Sequence, residues 1–533
     1  MLKNIRLGIT FGIIAGFLAF IFGGWSVAVL GVLCGVGLGM AFSSGLKRQA
    51  PLDLVRQALP TAATASFILL ILSLVQNFII APAIGQPPAS TDIVVQSNLA
   101  GVLGGLLFTL IPVYLHGLSE RQERIGRLVL LAVIIVAFPF VDNFTGLYWV
   151  AQVIFALIFV ILGMGLNIVV GYAGLLDLGY AAFFAIGAYT TGILDSSLHH
   201  IFLNFWLVIW IAAAMAACFG ILLGAPTLRL RGDYLAIVTL GFGEIIPVVF
   251  RNLIKVTIEE PLTCWIIPGL QKLFGSASTV SCIVITKDLN LTAGEQGINP
   301  IGRPYLPGIG LFTNAHPIPW YFLVIAIILL SIFVINRLRE SRLGRAWMAI
   351  REDELAASQM GIDPVRTKLL AFAMGATFSG FAGAFYGAYI SGIFPDVFDF
   401  SASILILCTV ILGGIGNIYG VIVGGLVLIN ADRLFLPALK DFLSGLLHST
   451  ILPALSNYPT AQAAVAENAN PILYRYLLFG LTLVIMMAVR PEGLIPNAQR
   501  RMELHGDEGT PAEPPSVEQK PSPKAKTAGK VKK

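Results

Sequence analysis

The sequence predicts an all-α fold, a polytopic α-helical integral membrane protein with roughly 13–14 transmembrane segments, some of them short or broken. Three observations carry this expectation. Of 533 residues, 56% are hydrophobic and 12% are charged, about half the charge density of a soluble domain. Uncharged runs of bilayer length recur along the chain, among them Pro319–Ile335 and Leu369–Ser391. Lys and Arg collect in alternate intervening loops, the pattern of cytoplasmic connections.

The elements follow in order. Leu7–Phe42 is uncharged and too long for one span, and Gly23–Gly24 is the expected break. Further spans are expected near Ala62–Ile80 and Ile93–Leu115, giving residues 1–125 as an N-terminal membrane extension with about four spans. The main body, residues 126–497, has expected spans at Leu128–Val141, Leu147–Val170, Tyr172–Leu194, Phe205–Leu223, Tyr234–Phe250 and Pro319–Ile335. Beyond a charged loop at 337–368 come Leu369–Ser391, Ser401–Leu412, Tyr419–Ile429 and Tyr474–Val489. With both termini inside, the basic loops at 43–60, 116–127, 227–233 and 337–368 all face the cytoplasm, and the long loops 251–318 and 430–473 face outward. This parity needs Gly413–Ile418 to be a turn between two spans. Residues 498–533, rich in Pro, Glu and Lys, form an expected disordered cytoplasmic tail. Its last lysines are available to anionic membrane lipid or to a partner.

Composition also excludes. A formal net charge of +5 suggests no nucleic-acid partner. MLKNIR before a long apolar run, without a small-residue cleavage site, reads as a retained anchor. Of five cysteines, Cys34, Cys218 and Cys408 lie in apolar spans. Cys264 and Cys282 share one polar loop and would pair if it faces an oxidising periplasm; two free thiols are the alternative. There is no metal-binding pattern and no credible catalytic acid/base cluster, so an intramembrane enzyme is disfavoured. No G-x-x-x-x-G-K-[ST] phosphate loop occurs, so the chain does not hydrolyse ATP by that route alone, and any energy it uses must come from a partner or an ion gradient.

The island Arg337–Lys368 spends scarce charges on a helix-prone internal loop. Ala346–Met360 has good helix formers up to a stop at Gly361, with Asp363–Pro364 starting the next turn. Arg351, Glu352, Asp353 and Glu354 give it a polar face, and Trp347, Ile350, Leu355, Ala356 and Ala357 an apolar patch. Such a helix suits a groove on a soluble protein. Its acidic residues argue against a bed of anionic lipid.

Two membrane features invite function. Gly165–Gly192 carries Gly171, Gly174, Gly179 and Gly187 among few polar groups, namely Asn167, Asp177 and Tyr180. These glycines serve either close helix packing or an unwound stretch lining a pathway. An apolar wall for a substrate would come from Phe183, Phe184 and Tyr189. Glu244 is a carboxylate inside an expected span, which costs about 2.5–3.5 kcal/mol on insertion scales for a comparable Asp. It reads as a pathway residue, a conformational latch, or a buried hydrogen bond fixing packing, with Arg251 as partner if the helix kinks at Pro247.

Glu354-Leu355-Ala356-Ala357-x-x-x-Gly361-Ile362 resembles the EAA-type coupling motif of ABC importer permeases. GRAWMAIREDELAASQMGI looks like the version in the branched-chain amino acid permease family, LivM type, as do Gly165–Leu194, Leu230–Ile246 and the closing VRPEGL. The resemblance covers about residues 128–495, and Pro247 departs from it. It implies alternating access without covalent chemistry. It also implies a second, similar permease subunit, two cytoplasmic ATPase subunits that bind and hydrolyse ATP, and a periplasmic amino-acid-binding protein, in a bacterial inner membrane. No cofactor is expected on this chain. Coupling to the ATPases would fall to Trp347, Arg351, Glu352, Glu354, Ala356, Ala357 and Gly361. The expected pathway residues are Asn167, Gly171, Gly174, Tyr180, Phe183 and Glu244. The favoured substrates are Leu, Ile and Val, with other amino acids, amides or urea as the alternative. A gradient-driven transporter is the runner-up class, weakened by the shortage of intramembrane charge.

Overall fold

The computed structural model describes residues 2–22, 26–44, 50–80, 91–199, 201–227, 233–254, 290–308, 310–447, 470–490 and 492–495. Among these, eleven helices are long and apolar enough to cross a membrane, and three more apolar helices are shorter. The protein is a multi-pass, all-helical membrane protein. Its strands are two-residue pairs, Asp195–Ser196 with Ile201–Phe202 and Tyr305–Leu306 with Gly310–Leu311. The expected tail, the break at Gly23–Gly24 and the pair Cys264 and Cys282 lie outside the described residues.

The N-terminal helices are α1 (Leu2–Phe22), α2 (Ser26–Ser44), α3 (Pro51–Val75, continued by a π turn to Ile80) and α4 (Thr91–His116). They pack mainly on one another, with Ala15, Ala19, Val27, Leu30 and Leu69 in one shared cluster. Helix α5 (Glu120–Thr145) runs unbroken through residue 125, so the extension and the main body share a rod. Phe22 meets Trp149 edge to face at 5.2 Å.

The body centres on α6 (Trp149–Asn167) and α13 (Pro364–Ile390), both apolar around most of their circumference and mostly buried. A helix apolar on all sides belongs in a protein interior. Small residues on α13 let neighbouring backbones approach. Gly380 sits against Ala213 of α8 (Phe205–Thr227), and Gly383 against the Phe184 carbonyl of α7 (Ala181–Leu194). Around this centre lie α9 (Asp233–Asn252), α10 (Ile318–Glu340), α14 (Phe400–Gly413), α15 (Ile418–Asn430) and α17 (Arg475–Val489).

Three expectations need correction. The expected span Tyr172–Leu194 is only half helical: α6 ends in a π turn, Ile168–Tyr172, an irregular stretch follows, and α7 begins at Ala181. Gly174, at φ +71°, makes the turn that ends the first rod. The expected outer loop 430–473 begins later, because α15 passes through a π turn (Ala431–Phe435) into α16 (Leu436–Leu446). Pro437, which has no N–H to give to the preceding turn, sits just past this π turn. The expected single helix Ala346–Met360 is two helices, α11 (Arg342–Glu352) and α12 (Glu354–Gln359), divided by an extended Asp353 at φ −155°.

Helices α7 and α14 have 14 residues each, about 21 Å at 1.5 Å per residue, short of a hydrocarbon core of about 30 Å. Their N-terminal ends meet inside the protein, where the Ala181 N–H donates to Ser403 Oγ at 3.0 Å. Irregular backbone precedes both, 173–180 before α7 and 391–399 before α14. Such backbone is tolerated at membrane depth where it is enclosed by protein.

Candidate functional site

The charged island is built as a bracket. Ser341 accepts from the Gly344 N–H at 3.3 Å and starts α11. Trp347 is fully buried, and its indole donates to the Thr367 carbonyl at 2.8 Å. Asp353 Oδ1 accepts from Leu355 N–H at 2.8 Å and Ala356 N–H at 3.0 Å, capping α12. Gly361, at φ +86°, ends it, and the Ile362 N–H returns to the Ala357 carbonyl at 3.2 Å. Glu354 pairs with the nearly buried Lys368 at 2.7 Å, tying α12 to the start of α13.

Of the expected contact residues, Trp347, Ile350 and Ala357 face inward and anchor the bracket. Glu352, Ala356 and Gly361 are exposed. Beside them, Leu355 is 68% and Met360 84% exposed. Met360 was missing from the sequence-derived set. An apolar residue just before a helix-stopping glycine is its only local signal.

Arg351 turns the other way. Its Nη1 donates to the Gly171 carbonyl at 2.8 Å, and its Cγ lies where a side chain on Gly174 would stand. Asn167 Oδ1, on the last residue of α6, accepts from the Gly416 N–H at 2.8 Å, joining the end of that helix to the Gly413–Asn417 turn. That turn meets the 493–495 segment, where Leu494 N–H donates to the Leu412 carbonyl at 2.9 Å and Ile495 N–H to the Gly413 carbonyl at 3.1 Å. The bracket, the end of α6 and the 413–417 turn therefore share one end of the molecule.

The remaining expected pathway residues separate. Tyr180 is fully buried and donates to the Gly375 carbonyl at 2.7 Å, a packing role. Phe184 and Tyr189 pack on Phe398 in an aromatic cluster. Phe183 lines a cavity of about 400 Å³ between α7, α8 and α9. Asp177, one of the three polar groups of the glycine-rich segment, lines the same cavity. Glu244 is exposed on α9 with no partner among the described residues. Arg251 pairs with Asp396 at 2.5 Å instead, because the 395–398 turn reaches the end of α9.

Beyond that pair, at the opposite end from the bracket, Asp195 is buried under the 290–306 segment, with its carbonyl accepting from the Gly302 N–H at 2.8 Å. Burial pushes its carboxyl up to about 6. No group of three or more His, Cys, Asp or Glu suited to a metal occurs among the described residues.

A bundle of broken and continuous spans with a capped, charged bracket at one end is the architecture of a membrane-embedded permease. The chain belongs to the family described as branched-chain amino acid transport system, permease component, whose model matches residues 149–487. It is 38% identical to the Escherichia coli K12 high-affinity branched-chain amino acid transport system permease protein LivM, over 73% of this chain and 79% of that one. It is 34% identical to the Salmonella typhimurium LivM protein over the same shares. A shorter match, 36% identity over 23% of this chain and 38% of the other, is to the E. coli permease protein LivH. No solved structure matches the chain. Helices α1–α5 precede the matched region.

Proposed function

We propose that this chain is one of two permease subunits of an ATP-driven importer of branched-chain amino acids. The observation that carries the reading is the Arg351–Gly171 hydrogen bond, which connects the exposed bracket to a break in the spans. The bracket end is cytoplasmic. Two ATPase subunits bind and hydrolyse ATP and seat α12 through Leu355, Ala356 and Met360. Their closure moves α12, and Glu354–Lys368 carries the displacement into α13. Arg351 carries it into the π turn of α6, and so to the stretch before α7. A periplasmic binding protein delivers substrate at the opposite end.

The second permease subunit covers the face of α9 that bears Glu244. Ile237, Ile245 and Val248 are exposed there beside that carboxylate. A charge on a lipid-facing surface is unfavourable, and a protein interface or shared water-filled pathway relieves it. The chain itself performs no covalent chemistry.

The test is uptake of labelled leucine, with other amino acids and urea as separate tracers. Cells lacking the chain are complemented with wild type or Arg351→Ala. Wild type restores leucine uptake; the variant does not, at equal membrane levels. Restoration of another solute alone would overturn the substrate, and full uptake by the variant would overturn the coupling route.

A further inference from the structure

The cavity between α7, α8 and α9 has a volume of about 400 Å³, within the range of small-ligand sites. Its walls are apolar, from Phe183, Leu223, Phe242 and Ile245. Among the described residues one ionisable group lines it. Asp177 is 1% exposed, and its Oδ1 accepts from the Gly179 N–H at 2.9 Å. Its Oδ2 has no hydrogen-bond partner among the described residues. The neighbouring Thr239 hydroxyl lies close to the Asp177 carboxylate, but it accepts from Leu178 N–H and its one proton goes to the Ala236 carbonyl, at 3.1 Å each. A buried carboxylate oxygen without a donor is costly, and a bound cation removes that cost.

Four backbone amides at the start of α7 are already committed. Gly179 N–H goes to Asp177 and Ala181 N–H to Ser403. Ala182 and Phe183 donate to the carbonyls of Gly179 and Tyr180. These four amides offer nothing to an anion, so among the described residues Asp177 is the charged group that the cavity presents, and it favours positive charge with apolar bulk.

We infer that this cavity is a substrate subsite in which Asp177 Oδ2 accepts the ammonium of an aliphatic amino acid whose side chain fills the space between Phe183, Phe242 and Leu223. The substrate carboxylate stays at the open side. The inference rests on the proposed importer function and adds a site to it. It makes the amine the recognised group and the carboxylate dispensable at this station.

Gly241 supplies a clean probe. It lines the cavity on α9, and a Cβ built there meets open space. Gly241→Leu therefore fills the cavity without a backbone clash, with a better helix former. The experiment uses the assembled transporter in proteoliposomes, wild type, Gly241→Leu and Asp177→Asn, with assembly verified by co-purification. A diazirine analogue of leucine is the photolabel, and 3-methylbutylamine and 4-methylpentanoate are competitors.

Wild type is labelled on α9, the amine competes and the acid does not. Both variants lose labelling and ATP-driven leucine uptake at least tenfold. Unchanged labelling and uptake in Gly241→Leu would overturn the site and leave the cavity to a lipid chain. Loss in Gly241→Leu with full labelling in Asp177→Asn, or competition by the acid alone, would overturn the ammonium contact. Wild-type leucine uptake with ATP reports the importer reading separately, so the two fail independently.

Discussion

Arg351 Nη1 donates to the carbonyl of Gly171 across 180 positions of sequence, at 2.8 Å. The contact is charge-assisted and half-buried, a class worth about 1.5–3 kcal/mol. It fastens the bracket to the end of α6, where the regular helix has already loosened into a π turn and a freed carbonyl is available.

Removing this fastening should uncouple the machine without dismantling it. Arg351→Ala is expected to assemble, to retain ATP hydrolysis and to lower substrate moved per ATP at least tenfold. Paired uptake and phosphate-release assays in proteoliposomes measure that ratio. An unchanged ratio would show that force enters by another route.

Glu354 and Lys368 form the second fastening. Lys368 is 6% exposed, so Glu354→Ala leaves a nearly buried ammonium unpaired, at a cost of about 1–3 kcal/mol given the partly solvated partner. Lys368→Ala relieves the charge and should cost less. The exchange Glu354→Lys with Lys368→Glu should recover stability and uptake relative to either single reversal. Thermal unfolding in detergent and uptake together form the double-mutant cycle.

Gly179 and Gly361 make a contrasting pair. A Cβ on Gly179 would collide with the Thr239 backbone carbonyl, which has no room to yield. Gly179→Ala should abolish folded, detergent-stable protein. Gly361 has open space around it but φ +86°. Gly361→Ala should cost about 1–2 kcal/mol of left-handed strain and leave a folded protein with a weakened bracket. Size-exclusion of a fluorescent fusion distinguishes the two outcomes.

Asp195 predicts a pH dependence. Burial holds its carboxyl at about 6 in the folded chain, against 3.8 for a solvated Asp. Between those values the folded chain keeps a proton that the unfolded chain has lost, so this group's contribution to stability falls as pH rises through the window. Above pH 6 the buried charge opposes folding. Asp195→Asn should therefore raise the melting temperature at pH 7.5 and change it less at pH 4.5. An equal shift at both values would contradict the assignment.

The long spans were legible because bilayer thickness imposes a length and a composition on each one. The stretch 172–180, YAGLLDLGY, was not, because it is apolar on average and a hydropathy window reads an apolar coil as helix. What breaks it, Gly174 at positive φ and Asp177 bonding Gly179, is local geometry that a window erases. The division at Asp353 was available in principle, since an Asp two and three residues before free amides is a capping pattern. The continuation of the chain past Asn430 was hidden by the polar Asn-Ala-Asp-Arg run, which the π turn accommodates. Arg351–Gly171 and Glu354–Lys368 join residues by tertiary placement, and a single sequence holds no sign of the first. The family motifs marked the bracket as important without saying which side chains look inward.

The N-terminal helices α2 and α4 touch backbone to backbone. Gly31 lies against Gly101 and Gly35 against Gly105, one turn apart, with Gly39 against Thr109 next. Even a methyl group would push the rods apart at any of these rungs. Two rods zipped in this way have no sliding freedom and move as one stiff post. If the core rocks during a cycle, the give lies between this post and the core, along α5 and the seam where Phe22 meets Trp149. The extension would then behave as a stator, and its variation among related chains should be confined to lipid-facing positions, leaving the rungs untouched.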